Sequence, residues 1–264
     1  MRFYLTTHKQ HWVRKVRIPL FLKAEHFIQT KTLYPALGPY AVDSGGFSEL
    51  QKHGTWTRSP RQYVNDLRRI WECVGPYDWA AGQDWMCEDL IIHGGQAGPL
   101  RFTGTGLSVA EHQRRTVENF LDLRSLALDL RIIPTLQGNT IPEYEHCREL
   151  YEKAGVDLRA EPVVGLGSVC RRQSTTEGAA IVTAMAAHGL KLHGFGFKTV
   201  GLARVGHLLT SADSLAWSYH ARKRPPLPGH TTHTNCANCL DYALNWRTRV
   251  LDALPTWHQP ELAP

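Results

Sequence analysis

Short apolar runs alternate with amphipathic segments along most of the chain, and each run is about as long as one buried strand. The runs are Tyr40–Val42, Tyr77–Ala81, Arg131–Leu136, Pro162–Leu166 and Leu190–Phe197. Continuous apolar runs of this length are typical of strands that are covered on both faces, as in a parallel sheet. The longer segments between them have apolar residues at helical spacing. The pattern therefore predicts alternating strands and helices.

The predicted helices begin where Ser or Thr is followed three residues later by Glu or Gln. This is the pattern of a capping box, in which each side chain bonds to the other residue's backbone N–H. The four sites are Ser59–Gln62, Ser108–Glu111, Thr140–Glu143 and Ser174–Glu177. Because strands and helices alternate, we expect parallel strands joined by right-handed crossovers. The length of 264 residues fits one α/β domain, a (β/α)8 TIM-type barrel over residues 1–264.

Composition narrows the class of protein. A hydrophobic content of 42% suffices for one sizeable core, and the net charge of +6 suits a polyanionic partner such as nucleic acid. Six cysteines are too few for a disulfide scaffold in a chain of this length. The N-terminus lacks the apolar core of a signal peptide, and no run of about 18 apolar residues occurs. We therefore expect a soluble, cytoplasmic protein with no membrane partner.

Polar residues and glycines collect where the apolar runs end. They are Asp43–Phe47, Gln83–Asp84, Gln137–Gly138, Gly165–Ser168, Gly194–Lys198 and Asp213. Because the carboxyl ends of barrel strands meet at one face, we expect these groups to converge and to bind a planar heterocycle. Each also has a plainer interpretation. Asp84 would cap a loop, Gln137 would pair with a buried backbone group, and Asp213 would be a helix N-cap.

The order of these motifs resembles that of the tRNA-guanine transglycosylase superfamily, whose members exchange guanine for a 7-deazaguanine base at the glycosidic bond. The segment Asp43–Phe47 reads Asp-Ser-Gly-Gly-Phe, which is similar to the family signature. Gln137–Gly138 and Val164–Gly167 match two later strand ends of the family. The family's nucleophilic aspartate follows a glycine-rich strand end, which is the position of Asp213. The resemblance spans roughly residues 1–250.

Three stretches resemble, more narrowly, the short phage and bacterial members that insert 7-deazaguanines into DNA. The stretches are Gln83–Glu88, Gly165–Gln173 and Ser211–Ser218. The similarity implies a DNA-guanine transglycosylase that takes the free base preQ0 (7-cyano-7-deazaguanine) or a derivative. The implied setting is the bacterial cytoplasm or a phage-infected cell, where the modification would protect phage or mobile DNA from restriction. A homodimer or a partner protein stays open, since nothing in the sequence marks an interface.

The resemblance also implies a covalent mechanism. A carboxylate can hold the sugar C1′ while one base leaves and another enters, as in retaining glycoside chemistry. The family pattern assigns that role to Asp213. A second carboxyl group must protonate the departing guanine and then take a proton from the incoming base, and Asp43 is the candidate.

Base recognition follows from the same resemblance. Asp84 would accept hydrogen bonds from N1–H and the exocyclic amine of the base, and the Gln137 amide would donate to O6. Backbone groups around Gly165 and Leu166 would read the substituent at position 7. The remaining residues of the expected base site are Ser44, Gly45, Gly46, Phe47 and Gly167.

The second strong motif is the segment from His230 to Cys239. His230, His233, Cys236 and Cys239 supply the number and type of ligands that a closed tetrahedral zinc site requires. The superfamily carries a structural zinc near its C-terminus, but its bacterial tRNA-acting members use three closely spaced cysteines and a later histidine. Because this chain departs from that pattern, His258 is an alternative to either histidine, and the predicted zinc-binding segment covers about residues 225–258.

Basic residues near the predicted active face are candidates for binding phosphates, although such residues are often only solvated surface. They are Lys198, Arg204, Arg222, Lys223 and Arg224. The target base must leave its stack to reach buried carboxylates, which implies base flipping or a single-stranded substrate. Three other functions stay open: a tRNA-guanine transglycosylase, a non-catalytic nucleic-acid-binding homologue and a metal-dependent hydrolase on a TIM barrel.

Overall fold

The computed structural model describes residues 1–254 of the chain. Its strands are β1 (Arg2–Thr6), β2 (Leu20–Lys23), β3 (Tyr40–Asp43), β4 (Ala80–Ala81), β5 (Gly95–Ala97), β6 (Leu100–Phe102), β7 (Ile132–Ile133), β8 (Thr135–Leu136), β9 (Val164–Leu166), β10 (Leu192–Gly194) and β11 (Leu209–Ser214). The strands β5 and β6 form a separate antiparallel hairpin, and the other nine form one parallel sheet.

The large sheet closes into a barrel. Its order is β7-β4-β3-β2-β1-β11-β10-β9-β8, so β7 and β8 lie at its two ends. These two strands are consecutive pieces of one segment, and Pro134 separates them because proline has no N–H to donate to the ladder. The segment pairs with β4 on one side and with β9 on the other. The predicted (β/α)8 TIM-type barrel is therefore confirmed.

Helices follow the barrel strands and cover their outer surface. They are α1 (Ala24–Ile28), α2 (Gly46–His53), α3 (Pro60–Val74), α4 (Asp89–His93), α5 (Val109–Leu126), α6 (Ile141–Lys153), α7 (Thr176–Ala187), α8 (Thr199–Val205), α9 (Ala216–Arg222) and α10 (Leu240–Asp252). Short 3-10 helices cover Gln10–Arg14 and Gly206–Leu208. Within residues 1–254, no helix is long and apolar enough to cross a membrane.

Three of the four predicted helix starts are confirmed. Ser59 and Thr140 form reciprocal capping boxes with the residues three positions later, and the Ser108 side chain accepts the Glu111 N–H. The prediction at Ser174 is wrong by one residue. Thr175 is the N-cap instead, because its side chain accepts the N–H of Gly178 at 3.1 Å.

The core has two layers that follow the alternation of side chains along each strand. In β1, Phe3 and Leu5 point outward and pack with the surrounding helices, whereas Tyr4 points into the barrel. The inner cluster consists of Tyr4, Phe21, Ala41, Trp79, Ala81, Ile133 and Val163, with Phe195 packed against it. Because these side chains fill the barrel interior, a ligand site can form only above them, at the strand ends.

Candidate active site

A cavity of about 600 Å³ opens at the carboxyl ends of the barrel strands. Its lining comes from β1, β2, β3, β4 and β11, from the loops after β4, β9 and β10, and from the helices α2 and α9. The predicted site residues that line it are Asp43, Ser44, Phe47, Asp84, Gly167, Asp213 and Arg222. The two predicted catalytic carboxyl groups therefore share one cavity.

Asp213 is the fifth residue of β11 and is almost fully buried. Its Oδ2 accepts a hydrogen bond from Thr6 Oγ1 at 2.5 Å, and its Oδ1 accepts the Gly196 N–H at 2.9 Å. His193 Nε2 lies 3.3 Å from Oδ1, and Ser211 Oγ lies 2.8 Å from the other ring nitrogen. The interpretation of Asp213 as a helix N-cap is wrong, since the residue lies in a strand and Leu215 precedes α9.

Asp43 is the last residue of β3, and the chain turns sharply after it. The Gly45 N–H donates to Asp43 Oδ1 at 2.9 Å, and Gly45 has a φ of 83°, a conformation that favours glycine. Burial raises the pKa of Asp43, and the negative charge of Asp213 raises it further. A carboxyl group with a raised pKa can hold a proton near neutral pH and release it later.

Asp84 follows β4 and lies next to Gln137, which follows β8. The Gln137 Nε2 donates a hydrogen bond to Asp84 Oδ2. Burial raises the pKa of Asp84 to about 7 and the charge of Asp43 adds to the rise, whereas the bond from Gln137 opposes it. Gln137 itself is fully buried beneath the cavity. The pair is thus placed to present an acceptor and an amide donor to the edge of one ligand.

Two residues without an expected role complete this polar row. Ser168 has a φ of 54°, and its Oγ lies 2.6 Å from Gln137 Oε1 and 3.2 Å from Glu88 Oε2. Both residues line the cavity, and Glu88 is the residue before α4. Ser168 and Glu88 belong to stretches that the sequence singled out, but the contact between them spans 80 positions in the chain.

Other predicted residues lie around the cavity in different ways. Ser44 Oγ is buried and has no hydrogen-bond partner among the described residues, so a ligand atom would satisfy it. Gly165 and Leu166 lie in β9, where the Gly165 N–H is already bonded to Pro134 O and the Leu166 side chain packs in the outer core. Gly46 begins α2 directly beside Asp84.

Gly167 lies against the side chain of Gln137, and we expect the Gly167→Ala variant to bind free guanine more weakly. A Cβ at this position would lie 2.2 Å from Gln137 Nε2, and the buried amide has no room to move away. Overpacking of this kind costs about 1–3 kcal/mol. We expect about tenfold weaker binding of free guanine by calorimetry, together with a lower Tm. The control is Gly82→Ala, since a Cβ there makes only ordinary contacts at 3.6 Å or more.

The predicted phosphate-binding residues lie on the same side of the barrel. Arg222 lines the cavity, and Lys223 lies 4.3 Å from the centre of the exposed Tyr219 ring. Arg224 is exposed, and so is Lys198, which precedes α8. Arg204 NH1 donates to the Ser174 O at 3.3 Å, which holds the guanidinium near the start of α7.

The four predicted metal ligands converge in the loop before α10. The ligand atoms of His230, His233, Cys236 and Cys239 all lie within 4.8 Å of one another. His233 Nε2 lies 3.2 Å from Cys236 Sγ, and His230 Nδ1 lies 3.8 and 3.5 Å from the two sulfurs. Neighbouring ligand atoms around a tetrahedral zinc ion are about 3.3–3.8 Å apart, so the set fits zinc. The alternative ligand His258 lies outside the described residues.

The metal-ligand loop is joined to the cavity wall. Ser218 of α9 donates from Oγ to Ala237 O at 2.8 Å, and α10 packs directly on α9. Ser218, Tyr219 and Arg222 of the same helix line the cavity. The loop that carries the ligands therefore supports one wall of the site.

Comparison with protein-family profiles gives one match that covers the chain. Residues 1–263 match the family described as DpdA, DeoxyPurine in DNA protein A. The chain belongs to the DpdA family. Comparison with curated proteins finds no match.

Membership of the DpdA family gives the broad function. The chain has a role in deazapurine modification of DNA, the enzyme class is a transglycosylase, and DNA is the implied substrate. The narrower resemblance read from the sequence is therefore confirmed. Two residues that contact the Asp213 carboxylate, Thr6 and His193, were not predicted. At both positions, the only local sign of a functional role is a polar residue within an otherwise apolar strand segment.

Proposed function

We propose that this protein exchanges guanine in DNA for a 7-deazaguanine base, preQ0 or a derivative, through a covalent aspartyl–glycosyl intermediate. The observation that carries the proposal is the shared cavity of Asp43 and Asp213 at the carboxyl ends of the strands. The two carboxyl groups differ in their surroundings. This difference is needed if one of them is to act as the nucleophile and the other as the general acid and base. Both are present, whereas a protein that only bound nucleic acid would need neither.

Asp213 is the proposed nucleophile. Hydrogen bonds from Thr6 and from the Gly196 N–H fix the position of its carboxylate. A carboxylate oxygen attacks C1′ of the target deoxyguanosine, and the bond from C1′ to the guanine nitrogen breaks. The electron pair of that bond goes to the purine. The sugar is then held as an ester of Asp213 until the second base arrives.

Asp43 is the proposed acid and base. Its raised pKa allows it to donate a proton to the departing guanine. After guanine leaves and the 7-deazaguanine binds, the ionised Asp43 takes the proton from the nitrogen of the incoming base. That nitrogen attacks C1′, and the ester to Asp213 breaks. The carboxylate of Asp213 and the proton on Asp43 are restored, and the DNA backbone is never cut.

Asp84 and Gln137 are the proposed base-recognition pair. The Asp84 carboxylate accepts hydrogen bonds from N1–H and the 2-amino group, and Gln137 uses one amide hydrogen for Asp84 and the other for O6. Ser44 supplies a further hydroxyl without a protein partner. Phe47 and Phe195 line the cavity and offer flat apolar surfaces for the base. Trp85 is a core residue instead, packed with Leu50, Ile91 and Phe102.

The DNA strand is proposed to cross the rim on its basic side. Arg222 lies at the cavity, and Lys198, Arg204, Lys223 and Arg224 extend this surface. Burial lowers the pKa of His8, and the positive charges of His26, Lys23, Arg222 and Lys9 lower it further. Phosphate contacts of this kind give affinity without sequence preference.

Zinc is the proposed occupant of the four-ligand group, in a segment of about residues 225–258 attached to one barrel domain. His230, His233, Cys236 and Cys239 would hold it, and four protein ligands leave no coordination position for substrate. The metal therefore supplies structure only. The proposed setting is a bacterial or phage-infected cell, where the modified DNA would resist restriction.

The deciding experiment is incubation with duplex and single-stranded DNA and a panel of 7-deazaguanine bases, followed by nucleoside mass spectrometry. We expect loss of deoxyguanosine and appearance of a 7-deazaguanine deoxynucleoside. Parallel reactions with tRNA test which nucleic acid is the substrate. Exchange in tRNA with none in DNA would contradict the proposal.

Binding of the free base should depend on pH through Asp84. The carboxylate accepts hydrogen bonds only when ionised, and its pKa is about 7 in the protein without base. The proton is lost as pH rises through 7, so affinity rises to a plateau above pH 7 and falls about tenfold per pH unit below it. Calorimetric titration of guanine between pH 5.5 and 8.5 measures this. An affinity that stays constant down to pH 5.5 would exclude this role, and Asp84→Asn should bind weakly at every pH.

A further inference from the structure

His193 is a buried histidine beside the proposed nucleophile, and the exchange chemistry described above gives it no task. It is the second residue of β10 and is fully buried. Its Nε2 lies 3.3 Å from Asp213 Oδ1, and its Nδ1 lies 2.8 Å from Ser211 Oγ. Because His193 does not line the cavity, it can influence the reaction only through Asp213.

The rest of the imidazole is enclosed by the apolar inner cluster of the barrel. Four aromatic rings have their centres between 4.6 and 6.1 Å from the centre of the imidazole, and they belong to Trp79, Phe195, Phe21 and Tyr4. These rings fix the orientation of the imidazole. Within residues 1–254, Ser211 and Asp213 are the only side chains that hydrogen-bond to its nitrogens.

The positions of the hydrogens follow from these two partners. Nε2 faces a carboxylate oxygen, which can only accept, so Nε2 carries a hydrogen. The Ser211 hydroxyl is buried, and among the described residues His193 Nδ1 is the one acceptor that its hydrogen reaches. Since buried hydroxyl groups keep a hydrogen bond, Ser211 donates to Nδ1. His193 is therefore neutral, and its single ring hydrogen goes to Asp213.

The donors around Asp213 distinguish its two oxygens. An ionised carboxylate has about four acceptor sites, two on each oxygen. His193 Nε2 and the Gly196 N–H take both sites of Oδ1, at 3.3 and 2.9 Å. Oδ2 accepts one hydrogen bond, from Thr6, which lines the cavity. One acceptor site thus stays free on Oδ2, and it is the site that can attack C1′.

We propose that His193 is a positioning residue that holds Oδ1 of Asp213, so that the carboxylate attacks C1′ through Oδ2 and leaves C1′ readily when the second base arrives. The inference rests on the proposed function and adds a residue to the same site. In the covalent intermediate, Oδ2 is bonded to C1′ and Oδ1 is the carbonyl oxygen of the ester. When the nitrogen of the incoming base bonds to C1′, the bond from C1′ to Oδ2 breaks and its electron pair returns to the carboxylate of Asp213. Asp43 takes the proton of that nitrogen.

The direction of the effect follows from the charge on Asp213. A hydrogen bond to an ionised carboxylate is stronger than one to a neutral ester carbonyl. The Nε2–H of His193 therefore stabilises the free carboxylate more than the ester, and it is already in place when the negative charge returns. Removal of this donor should shift the equilibrium toward the covalent adduct and slow the second step of the exchange.

The test compares wild type with His193→Phe, which has a ring but no donor, and with His193→Gln, whose amide can still donate to Oδ1. Exchange of radiolabelled guanine into DNA gives the kinetic constants, and quenching in denaturant gives the ratio of covalent adduct to free protein. We expect His193→Phe to lower kcat and kcat/KM for guanine about 10- to 100-fold. The kcat/KM for DNA reports ester formation, so it should fall by no more than a few-fold. The adduct ratio should rise about tenfold or more, and His193→Gln should stay within a few-fold of wild type in every readout.

A double variant and a control guard against an effect on folding. His193→Phe leaves the buried Ser211 hydroxyl without its acceptor, which destabilises the barrel. The double variant His193→Phe with Ser211→Ala removes that hydroxyl as well, and it should show the same rise in adduct and the same loss of kcat. The matched control is His188→Phe. His188 follows α7, pairs with Glu145 and does not line the cavity, so this variant should keep the wild-type constants and adduct ratio.

The outcomes separate this inference from the function on which it rests. A residue that only supported the fold would lower kcat and the adduct ratio together, and that result in His193→Phe and in the double variant overturns the assignment. A wild-type kcat in both of them overturns it as well, and so does a His193→Gln variant that behaves as His193→Phe does. Failure of the wild type to exchange even guanine contradicts the proposed function instead.

Discussion

The Asp213→Ala variant is expected to lose base exchange by about 10⁴- to 10⁶-fold while the barrel stays folded. In the proposed reaction, the carboxylate forms the only bond that holds C1′ after guanine leaves. Its hydrogen-bond partners Thr6 and Gly196 position it but cannot replace it. Release of radiolabelled guanine from DNA measures the rate, and circular dichroism and Tm report the fold.

A second variant and a control make this result specific to the nucleophile. Asp213→Asn keeps the shape of the side chain but lacks the negative charge, so it should be as inactive as Asp213→Ala. Asp129→Asn removes an exposed carboxylate that pairs with Arg68, and it should exchange bases at the wild-type rate. Trapping of a protein–DNA adduct in wild type and its absence in both Asp213 variants would support the covalent step. Exchange by Asp213→Asn at more than a few per cent of the wild-type rate would refute it.

The Cys236→Ser variant is expected to lose both metal and stability. Cys236 is fully buried, and its Sγ lies next to both histidines and accepts the Leu227 N–H at 3.4 Å. Structural zinc contributes roughly 10 kcal/mol or more of folding free energy where the metal organises the whole unit. Here it organises one segment, so we expect a partial loss, seen as a Tm lower by about 10 °C or more.

The effect should reach the active site through α9. Ser218 is bonded to Ala237 in the ligand loop, and the same helix contributes Tyr219 and Arg222 to the cavity. We therefore expect weaker DNA binding as well as lower Tm, with zinc measured by mass spectrometry at less than one ion per chain. The matched control is Cys73→Ser, an exposed thiol on α3 that should keep metal, Tm and activity. A Cys236→Ser protein with full zinc content and wild-type Tm would rule out the metal site.

Many helix starts can be predicted from the sequence, because capping hydrogen bonds join residues that are only three positions apart. Ser59 and Thr140 reach backbone groups only three residues away, so their roles follow from the sequence alone. The shift from Ser174 to Thr175 shows the limit. Both residues can cap, and only the folded chain shows that the side chain of Thr175, and not that of Ser174, accepts the Gly178 N–H.

Strands are harder to predict from the sequence, because a strand forms only where a second strand pairs with it. The run Tyr77–Ala81 contributes only the two residues of β4, and Arg131–Leu136 is interrupted at Pro134. The first strand was not predicted at all. It pairs with β11, more than 200 positions along the chain, and lies in the middle of the sheet order.

The same division applies to the site. Residue type and position at strand ends indicated Asp43, Asp84, Gln137 and Asp213, and the spacing of four residues indicated the metal ligands. These are properties of short segments. Thr6 and Glu88 contact side chains 207 and 80 positions away, and no local pattern marks such contacts.

The sequence alone thus shows which chemical groups are available and that they lie at the ends of strands. It can do so because hydrophobic periodicity, helix capping and metal-ligand spacing all depend on residues that are close together in the chain. Closure of the barrel decides which of those groups meet. It places Thr6 on Asp213, sets Glu88 next to Ser168 and leaves Ser44 without a partner among the described residues. Each of these contacts joins distant segments, so it arises only when the whole sheet is paired.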